Sequence, residues 1–252
     1  MKKRNLMLLF LLGGSLLALA FWAPPPRPSR DETAPPQAAT NPRVPARFGR
    51  DLTFEANLGQ AACDVRFEAR AATYDAAFSP DQVTLTLTGP RQTGGAATRI
   101  GMRFAGARDV SIEGLEAVAT RSHYYLDPDP SPWVSNVPHY GRIRYAQVYP
   151  GIDVEFYGEP DDLEYDFVVA PGARPESIRI DFDGVSDIDI DAQGGLRLET
   201  PAGAVLQARP RIYQEVEGVR RPVGGGYVHQ GPRSIGFEVA RSDPRRPLGL
   251  TE

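Results

Sequence analysis

The sequence predicts an all-β protein built as an antiparallel β-sandwich, either one large sandwich or two small ones in series. From residue 48 to about residue 239, apolar and polar residues alternate with a period of two, as in Val83–Leu87 and Ile178–Phe182. Each run ends in Gly, Pro or Asp, which are typical turn residues. No stretch here sustains the helical period of 3.6 over three turns, and a short helix over 115–119 is the single exception left open.

Residues 1–22 are typical of an export signal. Three basic residues at positions 2–4 precede an apolar run that extends to Trp22, and Ala18 and Ala20 offer a small-x-small cleavage site. If the segment is retained, it is a membrane anchor. Its apolar run has about 17 residues, which is the lower limit of the length that spans a bilayer. We therefore expect a periplasmic, cell-surface or extracellular protein that contacts a membrane only through this segment, if it is uncleaved.

A proline-rich stalk is predicted over residues 23–47, which hold eight of the 24 prolines. Such a composition cannot bury enough apolar surface to fold, and it favours extended polyproline conformations. A folded all-β domain then spans residues 48–248, with a candidate subdomain break at the proline-rich stretch 127–132. The predicted organisation is a folded domain on a semi-rigid tether.

Composition and missing motifs exclude several functions. One cysteine and three histidines leave no internal disulfide and little for a zinc site. The net charge of −4 argues against nucleic acid as a partner, and removal of the signal would change it to −7, because three basic residues and no acidic one are lost. The chain has neither a Gly-x-Ser-x-Gly elbow nor a phosphate-binding loop. The sequence therefore predicts a non-enzymatic protein without a cofactor, with calcium left open as an alternative.

Aromatic residues and histidines are concentrated between residues 123 and 149. Exposed rings beside arginine and amide groups stack on sugar rings or anchor a protein partner, whereas buried rings fill the core of a β-sheet protein. Both interpretations stay open, and the partner would be a protein or a glycan. The ligand-binding candidates in this segment are Trp133, Asn136, His139, Tyr140, Arg142 and Tyr145.

Seven acidic residues fall within positions 153–166. Acids that alternate with apolar residues are typical of the solvated face of a half-buried sheet, and the turn at 158–162 predicts a hairpin. The alternatives are a calcium site and a pair of carboxylates for glycoside hydrolysis. The calcium candidates are Asp161, Asp162 and Glu164, although no EF-hand-like signature surrounds them.

Several strings in the chain resemble a known bacterial family. They include Asn136–Tyr140, Tyr149–Asp153, Glu164–Gly172 and Pro210–Glu215. Through them the region 50–248 is similar to the N-terminal domain of bacterial extracellular SBBP-repeat (β-propeller repeat) proteins, here without the propeller repeats. The resemblance implies an all-β module of unassigned function in secreted or surface proteins, and it supplies no catalytic residue.

Together these observations predict an exported, non-enzymatic β-sandwich module for adhesion, scaffolding or ligand binding at the bacterial cell surface or in the periplasm. The alternative is a carbohydrate-binding or glycoside-active domain that uses the 123–149 aromatic segment and the 153–166 acidic hairpin. A concave groove lined by Trp133, Tyr140 and Tyr145 with two facing carboxylates would favour this alternative.

Overall fold

Strands make up nearly all the regular structure of the computed structural model, which describes residues 52–87, 97–107, 110–125, 133–159 and 162–251. The predicted all-β class with antiparallel sheets is confirmed. The predicted signal, stalk and candidate break at 127–132 lie outside the described residues. Within the described ranges, no helix is long and apolar enough to cross a membrane.

The described part of the chain contains eighteen strands and one 3-10 turn, η1. They are β1 (Phe54–Ala56), β2 (Phe67–Arg70), β3 (Tyr74–Phe78), β4 (Val83–Leu87), β5 (Thr98–Phe104), β6 (Ser111–Tyr124), β7 (Val134–Tyr149), β8 (Ile152–Glu159), β9 (Asp162–Val169), η1 (Pro175–Ser177), β10 (Arg179–Asp183), β11 (Asp187–Ile190), β12 (Leu196–Thr200), β13 (Gly203–Gln207), β14 (Arg211–Val216), β15 (Val219–Val223), β16 (Gly225–Gly231), β17 (Ser234–Val239) and β18 (Leu248–Thr251).

Fifteen of these strands form one antiparallel sheet, in the order β15-β14-β18-β9-β8-β7-β1-β2-β3-β4-β5-β10-β17-β16, with β6 as a branch that pairs with β7. The other three form a small sheet in the order β11-β12-β13. The two ends of the large sheet, β15 and β16, are separated along the chain by Gly224 alone. The large sheet therefore curls back on itself.

Strands from both sides of the candidate break at 127–132 are interleaved in the large sheet. β7 pairs with β1, and β10 pairs with β5. The last strand, β18, is inserted between β9 and β14. The described strands of the two halves thus share one sheet.

The core lies inside the curl, where alternate residues of each strand are buried. Tyr165, Phe167 and Val169 of β9 point inward, as do Ile180 and Phe182 of β10. Aromatic rings form a continuous edge-to-face line through this core, with successive centroids 5.2–5.9 Å apart. In order of contact, the line consists of Phe54, Phe78, Phe156, Tyr145, Phe104, Phe167 and Phe237.

Residues 115–119 belong to β6, so the helix left open for them is wrong. Leu115 and Ala117 pair with Arg142 and Tyr140 of β7, and the register shifts between Ala117 and Arg121. The long β7 supplies a hydrogen-bond ladder that overrides the local pattern.

We predict that Phe156→Ala lowers the free energy of unfolding by about 3–5 kcal/mol, because it empties the middle of the aromatic line. Phe156 is 1% exposed, and its ring contacts the rings of Phe78, Tyr145 and Tyr165. Chemical denaturation measures the change. Val168→Ala is the control, since Val168 points outward from the adjacent strand with 40% of its surface exposed. A loss in Phe156→Ala no larger than that in the control would contradict the prediction.

Candidate functional site

Three exposed aromatic side chains meet where β6 ends and β7 begins, and we call them the aromatic surface: His123, Tyr125 and Trp133. The rings of His123 and Tyr125 are stacked with centroids 5.9 Å apart, and Trp133 meets Tyr125 edge-on at 4.9 Å. Tyr125 is 58% exposed and Trp133 is 44% exposed. The backbone N–H of Asn136 donates to Nδ1 of His123 at 3.1 Å, which ties β7 to the ring. The structure thus brings two sequence candidates, Trp133 and Asn136, to one exposed patch.

Side chains on the opposite face of β6 anchor this patch, because successive residues of a strand point to opposite sides. Ser122 and Tyr124 turn inward to Glu55 of β1. The Glu55 carboxylate, on a residue only 7% exposed, accepts hydrogen bonds from Ser122 Oγ at 2.9 Å, from Gln60 Nε2 at 3.0 Å and from the Tyr124 hydroxyl. Burial and the bond to Glu55 raise the pKa of Tyr124, so its hydroxyl stays a donor.

His139 completes this group, which we call the Glu55 cluster: Glu55, Ser122, Tyr124 and His139. Nε2 of His139 lies 2.7 Å from Ser122 Oγ and 3.3 Å from Glu55 Oε2, and Nδ1 lies 3.1 Å from Thr53 Oγ1. Burial lowers the pKa of the His139 imidazole; Glu55 opposes this effect, and Arg121 and Arg70 add to it. His139 is therefore a buried link between β1 and β7, below the exposed patch.

The Glu55 cluster contains the residue types of a serine-histidine-acid triad in a different arrangement. In such a triad the nucleophile and the acid contact opposite nitrogens of the imidazole. Here Ser122 and Glu55 both approach Nε2, and Nδ1 faces the hydroxyl of Thr53. In this geometry Glu55 does not orient the imidazole through Nδ1, so His139 is not placed to accept the Ser122 proton as a general base. The cluster is a hydrogen-bonded anchor that joins β1, β6 and β7.

Tyr140 and Tyr145, two further sequence candidates, lie apart from the aromatic surface. The ring of Tyr140 packs edge-on against Phe67 at 5.8 Å and covers Gly114, where an added Cβ would lie 2.6 Å from the ring. Tyr145 is fully buried, its hydroxyl donates to the backbone carbonyl of Ser79 at 3.0 Å, and burial raises its pKa. The groove of Trp133, Tyr140 and Tyr145 therefore does not form, because Tyr145 belongs to the core.

Arg142 is held in a charged network on the outer face of β7. Its guanidinium pairs with Glu155 at 2.8 Å and with Glu116 at 3.4 Å. It also lies over the ring of Tyr157, 4.3 Å from the centroid. These contacts hold the Arg142 side chain against residues of the neighbouring strands β6 and β8.

The acidic hairpin forms as predicted from β8 and β9, which pair from Ile152 to Glu159. Of the calcium candidates, Asp161 lies outside the described residues, Asp162 is exposed and Glu164 is half-buried. Asp166 accepts a hydrogen bond from Tyr157 at 2.8 Å. Across the described ranges, no group of three or more His, Cys, Asp or Glu side chains is placed to hold a metal ion.

Comparison with known protein families gives a match over most of the chain. The family model described as "Domain of unknown function (DUF7948)" matches residues 54–250. The chain belongs to this family. The match extends from β1 into β18, so both the Glu55 cluster and the aromatic surface lie within the DUF7948 domain. Neither the curated proteins nor the solved structures that were compared include a match.

The sequence did not single out Glu55 or Ser122 as site residues, and it pointed to Tyr124 only as a member of the 123–149 aromatic segment. Glu55 lies between Phe54 and Ala56, and an acid inside a short apolar strand was the available signal. Ser122 and Tyr124 are 67 and 69 residues away from Glu55 along the chain, so no local spacing connects them to it.

We predict that Glu55→Gln lowers the free energy of unfolding by about 2–3 kcal/mol, because an amide N–H₂ would face the donors of Ser122 or Tyr124. Chemical denaturation measures the loss, and hydrogen exchange of β6 amides shows whether this strand opens first. Glu113→Gln on β6 is the matched control. It removes an exposed ion pair with Arg144, which contributes at most about 1 kcal/mol. An equal loss in both variants would contradict the anchoring role.

Stability is expected to fall below about pH 6.5 through His139. Because the imidazole pKa is lowered in the folded state, the unfolded chain takes up a proton first as the pH falls. The contribution of His139 is therefore complete above the unfolded pKa and is lost as the pH decreases toward the folded pKa. Denaturation at a series of pH values should show a weaker dependence in His139→Gln. His229→Gln, at an exposed position, should keep the wild-type dependence, and an identical dependence in both variants would refute the assignment.

Proposed function

We propose that this chain is an exported, non-enzymatic module that binds a partner through the aromatic surface, at the bacterial cell surface or in the periplasm. Adhesion and scaffolding are the roles that such binding would serve. The observation that carries the proposal is the exposed stack of His123, Tyr125 and Trp133 on an anchored hairpin.

The exposure of these rings supports a role in binding. Large aromatic side chains that share contacts on a protein surface are typical of interaction sites, since their rings give much contact area with little conformational entropy to lose. The Glu55 cluster holds the strand that carries His123 and Tyr125, so the patch is preorganised. A rigid aromatic patch is better suited to recognition than a mobile one.

The arrangement of the polar groups supports a non-enzymatic role. Ser122 and Glu55 share one nitrogen of His139, and Asp153, Glu155 and Asp166 each have a polar partner on a neighbouring residue. These carboxylates are part of the outer surface of the sheet. Glu155 and Asp166 are direct cross-strand partners, but Arg142 binds the first and the Tyr157 hydroxyl donates to the second, so neither is an uncommitted carboxyl of the kind that glycoside hydrolysis needs.

The sequence features of residues 1–47 support export and display. An apolar segment after three basic residues and a proline-rich spacer would hold the folded domain away from a membrane. The resemblance to the N-terminal domain of SBBP-repeat proteins agrees with a surface location.

A glycan is the second candidate partner. Trp133 and Tyr125 present ring faces and edges that suit a sugar ring, and the side chain of Asn136 is exposed beside them. The glycan alternative predicts binding without any change to the sugar.

We predict that Trp133→Ala and Tyr125→Ala each weaken partner binding about tenfold or more, as removal of a central aromatic contact does. A glycan array probed with the full chain tests the sugar alternative. A photo-crosslinking amino acid in place of Tyr125, introduced in the native bacterium, tests for a protein partner. Leu206, 67% exposed and outside the aromatic surface, takes the same amino acid as the control position.

Tryptophan fluorescence gives an independent measurement. The chain has two tryptophans, so Trp22→Phe leaves Trp133 as the single reporter. A bound partner should protect Trp133 from quenching by acrylamide. A blank glycan array, together with crosslinks that do not differ between positions 125 and 206, would overturn the proposed function.

A further inference from the structure

A surface cavity of about 600 Å³ lies beside the β14–β15 hairpin and shares no residue with the aromatic surface. Its walls come from β14 and β15, from the residues just before β14, from the start of β16 and from the last residue of β18. This volume falls within the range of about 300–1,000 Å³ that is typical of small-molecule sites. We call it the arginine cavity, and its lining includes Arg209, Arg211, Tyr213, Arg220 and Thr251.

The arginine cavity concentrates positive charge in an acidic protein. Three of its ten lining residues are arginines and none is acidic, although the chain has a net charge of −4. Among the residues that the structure describes, no ion pair includes Arg209, Arg211 or Arg220, whereas Arg142 and Arg144 are paired. Uncompensated guanidinium groups around a concave surface attract anions.

Two of the arginines are held in place without an ion pair. The guanidinium of Arg220 lies over the ring of Tyr213, 4.4 Å from the centroid. The Tyr213 ring in turn fills the space above Gly249, where an added Cβ would lie 2.4 Å from Cζ of the tyrosine. Nη2 of Arg209 donates to the backbone carbonyl of Gly225 at 3.1 Å, which uses one of its five N–H groups.

Thr251 provides a hydroxyl that lacks a partner. It is 6% exposed, and its Oγ1 is buried without a hydrogen bond to any described residue. Thr251 and Arg211 are direct cross-strand partners on β18 and β14, so their side chains share one face. A buried hydroxyl without a partner is unfavourable, and an oxyanion beside Arg211 would accept its hydrogen bond.

The acidic residues nearest in strand register leave this charge in place. Glu215 is the cross-strand partner of Arg220, yet it is exposed and forms no ion pair with it. Asp166 is the cross-strand partner of Thr251, and its carboxylate accepts the hydroxyl of Tyr157. Among the described residues, neither acid forms an ion pair with a cavity arginine or a hydrogen bond with the Thr251 hydroxyl, so the guanidinium groups and the hydroxyl stay available to a ligand.

We propose that the arginine cavity binds a phosphate monoester carried by a small polar molecule, such as a sugar phosphate. A phosphate monoester brings a charge near −2 and three acceptor oxygens, which match planar arginine forks and a threonine hydroxyl better than a single carboxylate does. The volume leaves room for the group that carries the phosphate. The site is separate from the proposed function and does not depend on it.

Isothermal titration of the full chain with glucose-6-phosphate tests this site. We expect saturable binding that weakens as salt is added, competition by inorganic phosphate and no binding of glucose. Arg211→Gln and Arg220→Gln should each lower the affinity about tenfold or more, because each removes a charge-assisted contact. Thr251→Val, which keeps the shape and removes the hydroxyl, should lower it about threefold to tenfold.

Arg221→Gln is the matched control, since Arg221 neighbours Arg220 on β15 but does not line the cavity. The Arg221→Gln variant should bind glucose-6-phosphate as tightly as the wild type does. Trp133→Ala should also keep the wild-type affinity, because Trp133 belongs to the aromatic surface and not to this site. Circular dichroism melts verify that each variant folds. The proposal is overturned if neither glucose-6-phosphate nor inorganic phosphate binds saturably, if Arg221→Gln loses as much affinity as Arg220→Gln, or if glucuronate binds as tightly as glucose-6-phosphate.

Discussion

The curl of the large sheet depends on the edge-to-face line of aromatic rings that runs through its interior. Within the described residues the fifteen-stranded sheet has only the short turn η1 and no longer helix beside it, so its apolar face is buried against itself or against the small second sheet. The rings extend from Phe54 near one end of the described chain to Phe237 near the other, and they connect strands that are far apart in sheet order. The line joins Phe167 of β9 to Phe237 of β17, and the strands beyond these two in sheet order, β14, β15 and β16, line the arginine cavity.

The Glu55 cluster is a second, polar constraint on the same scaffold. β6 pairs with β7 and branches from the sheet, so hydrogen bonding to a second strand does not hold it. The buried carboxylate of Glu55 holds it instead, through Ser122 and Tyr124. His123 lies on β6 between these two inward side chains, so its ring and the buried hydrogen bonds are on opposite faces of β6. Tyr125 follows the end of β6, and Trp133 precedes β7. The orientation of the patch is thus a consequence of satisfying a buried carboxylate.

The period of two predicted the strands reliably and the site residues much less reliably. Val83–Leu87 is β4 as predicted, and β8 and β9 pair antiparallel, from Ile152 with Val169 to Glu159 with Asp162, as the predicted hairpin. The conformation of the segment 115–119 was harder to predict, because pairing with the long β7 outweighs its weak local preference for a helix. Tyr145 was a ligand-binding candidate and lies in the core, since alternation shows which residues share a face but not which face is inside. Positive φ angles at Asn136 and Gln147 in β7 add irregularities that the residue pattern does not reveal.

By itself, the sequence determined the all-β class, many of the strands, the hairpin of β8 and β9, and an acidic domain that has arginines and three histidines but no lysine. These properties follow from the alternation of residues a few positions apart, which the chain displays directly. Only the tertiary structure decided that Glu55 meets Ser122 across 67 residues, and that Arg209, Arg211 and Arg220 surround one cavity with Thr251. Such contacts depend on strand order and register, which are set by the packing of the whole core and not by any local period.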